Sequence, residues 1–405
     1  MTYLCSTVGP QQPAGVVVNR TSISGSRISS EEAKLATDSG IPGYHYAGCR
    51  QHYFFIADQF PETGEENFTN DASNNRLPIC STKVSDIGSW VDATNASPSS
   101  TGVALTMYNN LARYGDQMAT WQDGHRGVGR FGATFPWSLH HEPNDDDVQN
   151  VSISGNANGV QGVLNYQSAV ENIIELWKTR GVTMWEGDNS GFTTQEGLML
   201  GLNLITGESA GGSFSFGSGG ASGSIQKTAD WGVWWPNTWT WGNQNMVLSA
   251  ADSYNNKATI TTGVFKTLEY TLTSWTNWND QKRTYLASIG RPFLTSVWET
   301  GTTEESLYNS IHSSWTATGL AKTKANWFLN ALDWLKELES TGRAMHHWTY
   351  WDSQVTPVAT SNAYQVDTSI AAWNGWIAMA TDPWWNGAPV SPSPLPERSM
   401  RYVLL

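Results

Sequence analysis

His140, His141, Glu142, Asn144 and Asp145 stand together in PWSLHHEPNDDD, residues 136–147. Imidazoles, a carboxyl and an amide in one cluster suit two kinds of chemistry: metal ligation, or proton transfer by the glutamate. Strand geometry argues against the first, because neighbouring strand residues point to opposite faces and cannot easily share one ion. His346 and His347 meet the same obstacle. No metal and no other cofactor is expected, and the three consecutive aspartates read as a solvated loop. A second carboxyl, Glu299, ends another apolar run in SVWETG, residues 296–301. Two carboxyls on either side of a bond are what glycoside hydrolysis requires. One protonates the leaving oxygen, and the other attacks the anomeric carbon or activates water.

Something must hold these residues in place. The chain alternates short apolar runs with amphipathic helices, a pattern that predicts a parallel α/β fold. Strands are expected over 76–84, 131–141, 181–187, 246–255, 291–301 and 343–353. Helices are expected over 165–181, 322–342 and 368–382. The first helix carries Val170, Ile173, Ile174 and Trp177 on one face, and Gly181 stands as its stop. From residue 131 onward the strands end in polar or aromatic groups: HHEPND, WEGDN, DSYN, WETG and WTYWDS. In a (β/α)8 barrel such ends collect at one face and build the active site. The expectation is a single (β/α)8 TIM barrel with loop insertions over 1–385, and a Pro/Ser-rich tail over 386–405. GESAGGSFSFGSGGASGS, residues 207–224, lacks the lysine of a phosphate loop and reads as a surface insertion.

Composition narrows the partners. A formal net charge of -13 with only 15% charged residues argues against a nucleic-acid binder, which needs a basic face, and against an anionic membrane surface. A neutral glycan meets no such penalty. Of the 22 tryptophans, about half are expected in the core and the others at sugar-stacking positions, as in ADWGVWWPNTWTWG, 229–242. Cys5, Cys49 and Cys80 have no metal-ligand spacing and allow at most one internal bridge. The N-terminal residues show no secretion signal. Abundant Ser, Thr, Asn and Gly with little Lys suggest an extracellular or virion-associated protein that also suits a larger assembly.

HHEPND resembles the His-Glu ending of strand 4 in glycoside hydrolase family 26, the β-mannanase family of clan A. SVWETG resembles that clan's strand-7 ending. The resemblance extends to Ser81 and Lys83, to DSYN, and to YQVDTSIAAWNGWIAMATDP; it spans roughly residues 75–385, in a bacterial or phage branch. It implies a general acid/base at Glu142 and a nucleophile at Glu299. It further implies that His141 shapes the surroundings of the acid and that Tyr254 hydrogen-bonds to the nucleophile. Trp348 or Trp351 would form the floor beneath the reactive sugar, and Asn144 and Asp145 would contact a neighbouring sugar. Trp185, in the WEGDN ending, is a further expected substrate contact, with Glu186 and Asp188 as rival carboxylates. The chain has Ser138, Leu139 and His140 where the mannanases commonly have Arg-Pro-Leu, so the reaction type transfers better than the substrate. The expected function is retaining endo-hydrolysis of a polysaccharide. The alternative is a glycan-binding or structural module on the same scaffold, as in a phage tail, without turnover.

Overall fold

The computed structural model describes residues 3–7, 35–40, 48–55, 60, 68–73, 75–83, 103–141, 152–153, 156–157, 159–185, 196–206, 213–215, 224–226, 235, 246–255, 267–302, 323–351, 366 and 370–385. In chain order its elements are β1 (Tyr3–Thr7), β2 (Cys49–Phe55), α1 (Phe68–Ser73), β3 (Leu77–Lys83), α2 (Val103–His125), β4 (Phe135–Ser138), β5 (Ser152–Ile153) and β6 (Asn156–Ala157). Next come α3 (Gly159–Thr179), β7 (Leu198–Thr206), β8 (Ser213–Ser215), β9 (Ser224–Gln226) and β10 (Met246–Asn255). The last are α4 (Leu268–Ser288), β11 (Leu294–Thr302), α5 (Lys324–Ser340), β12 (His347–Trp351) and α6 (Ile370–Ala380).

Eight strands close a parallel barrel in the order β1-β2-β3-β4-β7-β10-β11-β12, with β12 returning to β1. This is the expected (β/α)8 architecture. The ribbons β5–β6 and β8–β9 lie in the connections after β4 and β7, so loop insertions are present where the Gly/Ser-rich segment suggested one. Among the described residues no helix is long and apolar enough to cross a membrane. The tail 386–405 lies outside the described residues.

Strand alternation sorts the side chains into two cores. Leu77, Ile79, Met199, Leu248, Ala250 and Trp298 fill the barrel's interior. Cys80, Phe135, Trp137, Leu200, Ala251, Val297 and Tyr350 belong to a larger cluster that the surrounding helices cover. On α3 the predicted face is buried in that cluster, and Trp177 Nε1 donates to the carbonyl of Leu111 on α2 at 2.9 Å. Gly181 follows with φ +90°, a conformation that costs other residues energy, and so ends the helix as expected. Thr267 and Thr323 cap α4 and α5, their hydroxyls accepting from Tyr270 and Asn326.

Three expectations need correction. The strand expected over 181–187 does not form in its described part, 181–185: Met184 makes only an isolated bridge to Leu198, and the strand is LMLGLNLIT, residues 198–206. The run at 131–141 forms a strand only over 135–138, with a glycine-containing turn before it. In ADWGVWWPNTWTWG the one described residue, Trp235, is fully buried, with the Lys282 ammonium over its ring and donating to its carbonyl at 2.9 Å. Every tryptophan whose side chain is described is buried or half-buried, so the core takes a larger share of them than expected.

Candidate active site

The chain leaving β4 is held by β3. Thr82 donates its hydroxyl to the carbonyls of Ser138 and Leu139 at 3.2 and 2.8 Å, and its own carbonyl accepts from the His141 N–H at 2.9 Å. Ser138 Oγ donates to the His140 carbonyl at 2.9 Å, tightening the same turn. Four residues of strand therefore become a fixed path as far as His141. Glu142 is the next residue, and it lies outside the described residues together with Asn144, Asp145, Glu186 and Asp188.

His141 sits at the C-terminal mouth of the barrel, 8% exposed. Its Nδ1 is 3.1 Å from Asn203 Nδ2 on β7, and that amide also donates to Asp252 Oδ2 on β10 at 2.8 Å. Asp252 Oδ2 lies 3.5 Å from His141 Nδ1. Asn203 and Asp252 are fully buried. Three strands thus converge on one polar cluster directly before Glu142.

Glu299 lies within β11, the seventh barrel strand, as the sequence reading placed it. A bulge occurs here: Ala251 pairs with Val297, whereas Asp252 pairs with Glu299, leaving Trp298 as the extra residue. The backbone of Glu299 is therefore opposite Asp252. Tyr254 follows two residues along β10, opposite Gly301, and is nearly buried. Trp351 ends β12 opposite Thr7. The side chains of Glu299 and Trp351 lie outside the described part of the structure.

Two expected sugar contacts are elsewhere. Trp185 donates its backbone N–H to Leu198, the first residue of β7, and packs in the barrel's interior with Met199 and Trp298. The polar cluster at the mouth meets β7 at Asn203, five residues on, about 17 Å at the usual strand rise. Trp348 has the strand parity that faces the helices. It is fully buried beside Trp327 of α5, with its ring stacked on Trp385, and cannot floor a sugar site.

His346 and His347 also depart from expectation, since their Nδ1 atoms approach to 2.8 Å. His346 precedes β12, so strand alternation does not separate the pair. Burial lowers His346 to about 3 and pushes His347 well below the usual imidazole range, with the neighbouring His346 adding to the latter. Asn203 and Asp252 were not singled out from the sequence. Asp252 stands in the DSYN ending that was noted, whereas Asn203 lies in a strand that was missed.

No family model and no curated protein matches the chain. Solved structures with a similar fold include the catalytic domain of a GH26 endo-β-1,4-mannanase from Bacillus sp. JAMB-750, at 13% identity over 94% of this chain and 86% of that one, with a TM-score of 0.46. Fungal β-1,4-galactanase is similar at 10% identity over 90% and 94%, TM-score 0.46. A GH113 β-1,4-mannanase is similar at 10% identity over 94% and 100%, TM-score 0.38. At these identities the likeness is one of barrel architecture alone.

Proposed function

We propose that this chain is a retaining endo-glycosidase acting on a polysaccharide, mannan-like or from a microbial envelope. Glu142 serves as general acid/base and Glu299 as nucleophile. The observation that carries this reading is the position of Asp252. Its carboxylate lies 3.5 Å from the imidazole of His141, the residue before Glu142, and its backbone is the register partner of Glu299. One buried group therefore neighbours the chain positions of both carboxyls, near the strand ends where barrels of this kind build their sites.

The chemistry asks that one carboxyl stay protonated while the other is ionised. A desolvated mouth with a neighbouring negative charge favours that division. His141, Asn144, Asp145, Tyr254 and Trp351 are the proposed substrate contacts. In this reading the partner is a neutral glycan, not nucleic acid or membrane, and the setting is extracellular or virion-associated, within a larger assembly.

The test is release of reducing ends from mannans, other plant polysaccharides and bacterial envelope glycans by wild type, Glu142→Gln and Glu299→Gln. Each substitution is expected to lower kcat by about 10²–10⁴-fold. The anomer first released, followed by proton NMR, is expected to keep the substrate's configuration. An inverted product would move the nucleophile's role to a water molecule. Binding without cleavage across the whole panel would make the protein a glycan-recognition module instead.

A further inference from the structure

The cluster at the mouth has a directional logic. Asp252 as a carboxylate only accepts hydrogen bonds, so the Asn203 atom 2.8 Å from it must be the donor, Nδ2, and not Oδ1. The same Nδ2 is 3.1 Å from His141 Nδ1. An amide nitrogen has two hydrogens and no lone pair to offer, so His141 Nδ1 must accept. A neutral imidazole that accepts at Nδ1 carries its proton on Nε2. Direct donation from Nδ1–H to Asp252 would span 3.5 Å, beyond good hydrogen-bond range.

We infer that Asn203 and Asp252 are positioning residues that hold His141 as the Nε2–H tautomer, a fixed hydrogen-bond donor to an acceptor oxygen of the glycan beside Glu142. The role of that donor rests on the proposed glycosidase reading; the tautomer does not. Asp252 sets the orientation of the Asn203 amide, and Asn203 sets the proton position on the ring. Asn203 is suited to this relay because it is fully buried on β7 between β4 and β10. A serine or threonine hydroxyl in its place would rotate and donate in either direction, leaving both tautomers available.

The direct measurement is a long-range nitrogen–proton NMR spectrum of the ¹⁵N-labelled full chain, in which His141→Gln identifies the His141 signals among the 8 histidines. Wild type is expected to show an unprotonated Nδ1 and a protonated Nε2. A protonated Nδ1 would overturn the inference, and this needs no variant to fold. Asn203→Ala removes the donor and is expected to move the proton to Nδ1, facing Asp252. Retention of the Nε2–H pattern in that variant would show that Asn203 does not set it. On any polysaccharide that wild type cleaves, His141→Gln keeps an N–H donor near the Nε2 position and is expected to hold activity within about 10-fold. His141→Phe and Asn203→Ala are expected to lose more, to a similar extent. Equal losses for Gln and Phe would overturn the donor role while leaving the tautomer intact. Absence of any cleavage, with the predicted tautomer present, would overturn the glycosidase reading and leave the relay standing.

Discussion

The two ends of the barrel's interior are built by the same strands and are chemically opposite. At the base, β7 and β10 contribute Met199 and Leu248 to an apolar plug that also includes Trp185 and Leu77, and Trp298, the bulge residue beside Asp252, packs into the same cluster from higher on β11. At the mouth, β7 and β10 contribute Asn203 and Asp252, which meet His141 at the end of β4. Both ends hold buried histidines, but they are kept differently. His346 and His347 have each other and an environment that refuses charge. His141 has an amide and a carboxylate. Inward-facing parity is thus only half of a strand residue's address. Height along the strand decides whether it meets hydrocarbon or a polar network.

This contrast can be broken most forcefully in the apolar plug. Trp298→Ala removes a fully buried ring and is expected to cost about 3–5 kcal/mol of unfolding free energy, while Asp252→Ala, which strands the Asn203 amide, is expected to cost about 1–3 kcal/mol. Urea titrations of the two variants compare them directly. A larger loss at Asp252 would mean that the mouth, and not the plug, dominates the barrel's stability.

Acid sharpens the comparison. The unfolded chain's imidazoles titrate at about 6.5, whereas His346 in the folded chain resists protonation to about 3 and burial also holds His347 well below its usual range. Below about 6.5 the unfolded state binds more protons, so stability is present above that pH and falls as pH drops towards 3. The slope approaches about 1.4 kcal/mol per pH unit for each such group. Denaturation at a series of pH values should show this slope, and His346→Gln with His347→Gln should flatten it. An unchanged slope in the double variant would assign the acid sensitivity to other groups.

The smallest expected effect concerns thiols. Cys49 belongs to the inner core and is disulfide-bonded; its register partner in β1 is Cys5. Cys80 lies in the outer cluster, is free, and has its thiol pushed well above 9.0 by burial. Native protein is therefore expected to resist alkylation, unfolded protein to label once, and reduced unfolded protein to label at all three cysteines. Two or more labels before reduction would remove the bridge from the inner core.

Three helices, α3, α5 and α6, and five of the barrel strands were legible because their apolar residues recur at the spacing of one covered face, whereas α2 and α4 were not. The place of Glu142 after the fourth barrel strand and of Glu299 in the seventh was legible for the same reason. The second strand was hidden by its own chemistry. Arg50 and His52 occupy outward positions where apolar residues are usual, and Asp71 of α1 receives both, at 3.3 and 2.5 Å. A charged residue looks exposed in a sequence until its buried partner, 19 or more positions away, is known. The strand 198–206 was passed over for 181–187 because WEGDN carries attractive functional groups, whereas hydrogen bonding to β4 and β10 selects the longer run.

The sequence by itself determined local periodicity: three of the helices, five of the barrel strands, and the carboxyls that follow them. Tertiary structure alone decided parity and height. It turned Trp348 towards the helices, sank Trp185 into the base, gave β11 the extra residue that sets Glu299 opposite Asp252, and inserted Asn203 between Asp252 and His141. Those outcomes depend on barrel closure and strand register, which pair residues 49 to 62 positions apart, and no local pattern encodes such pairs.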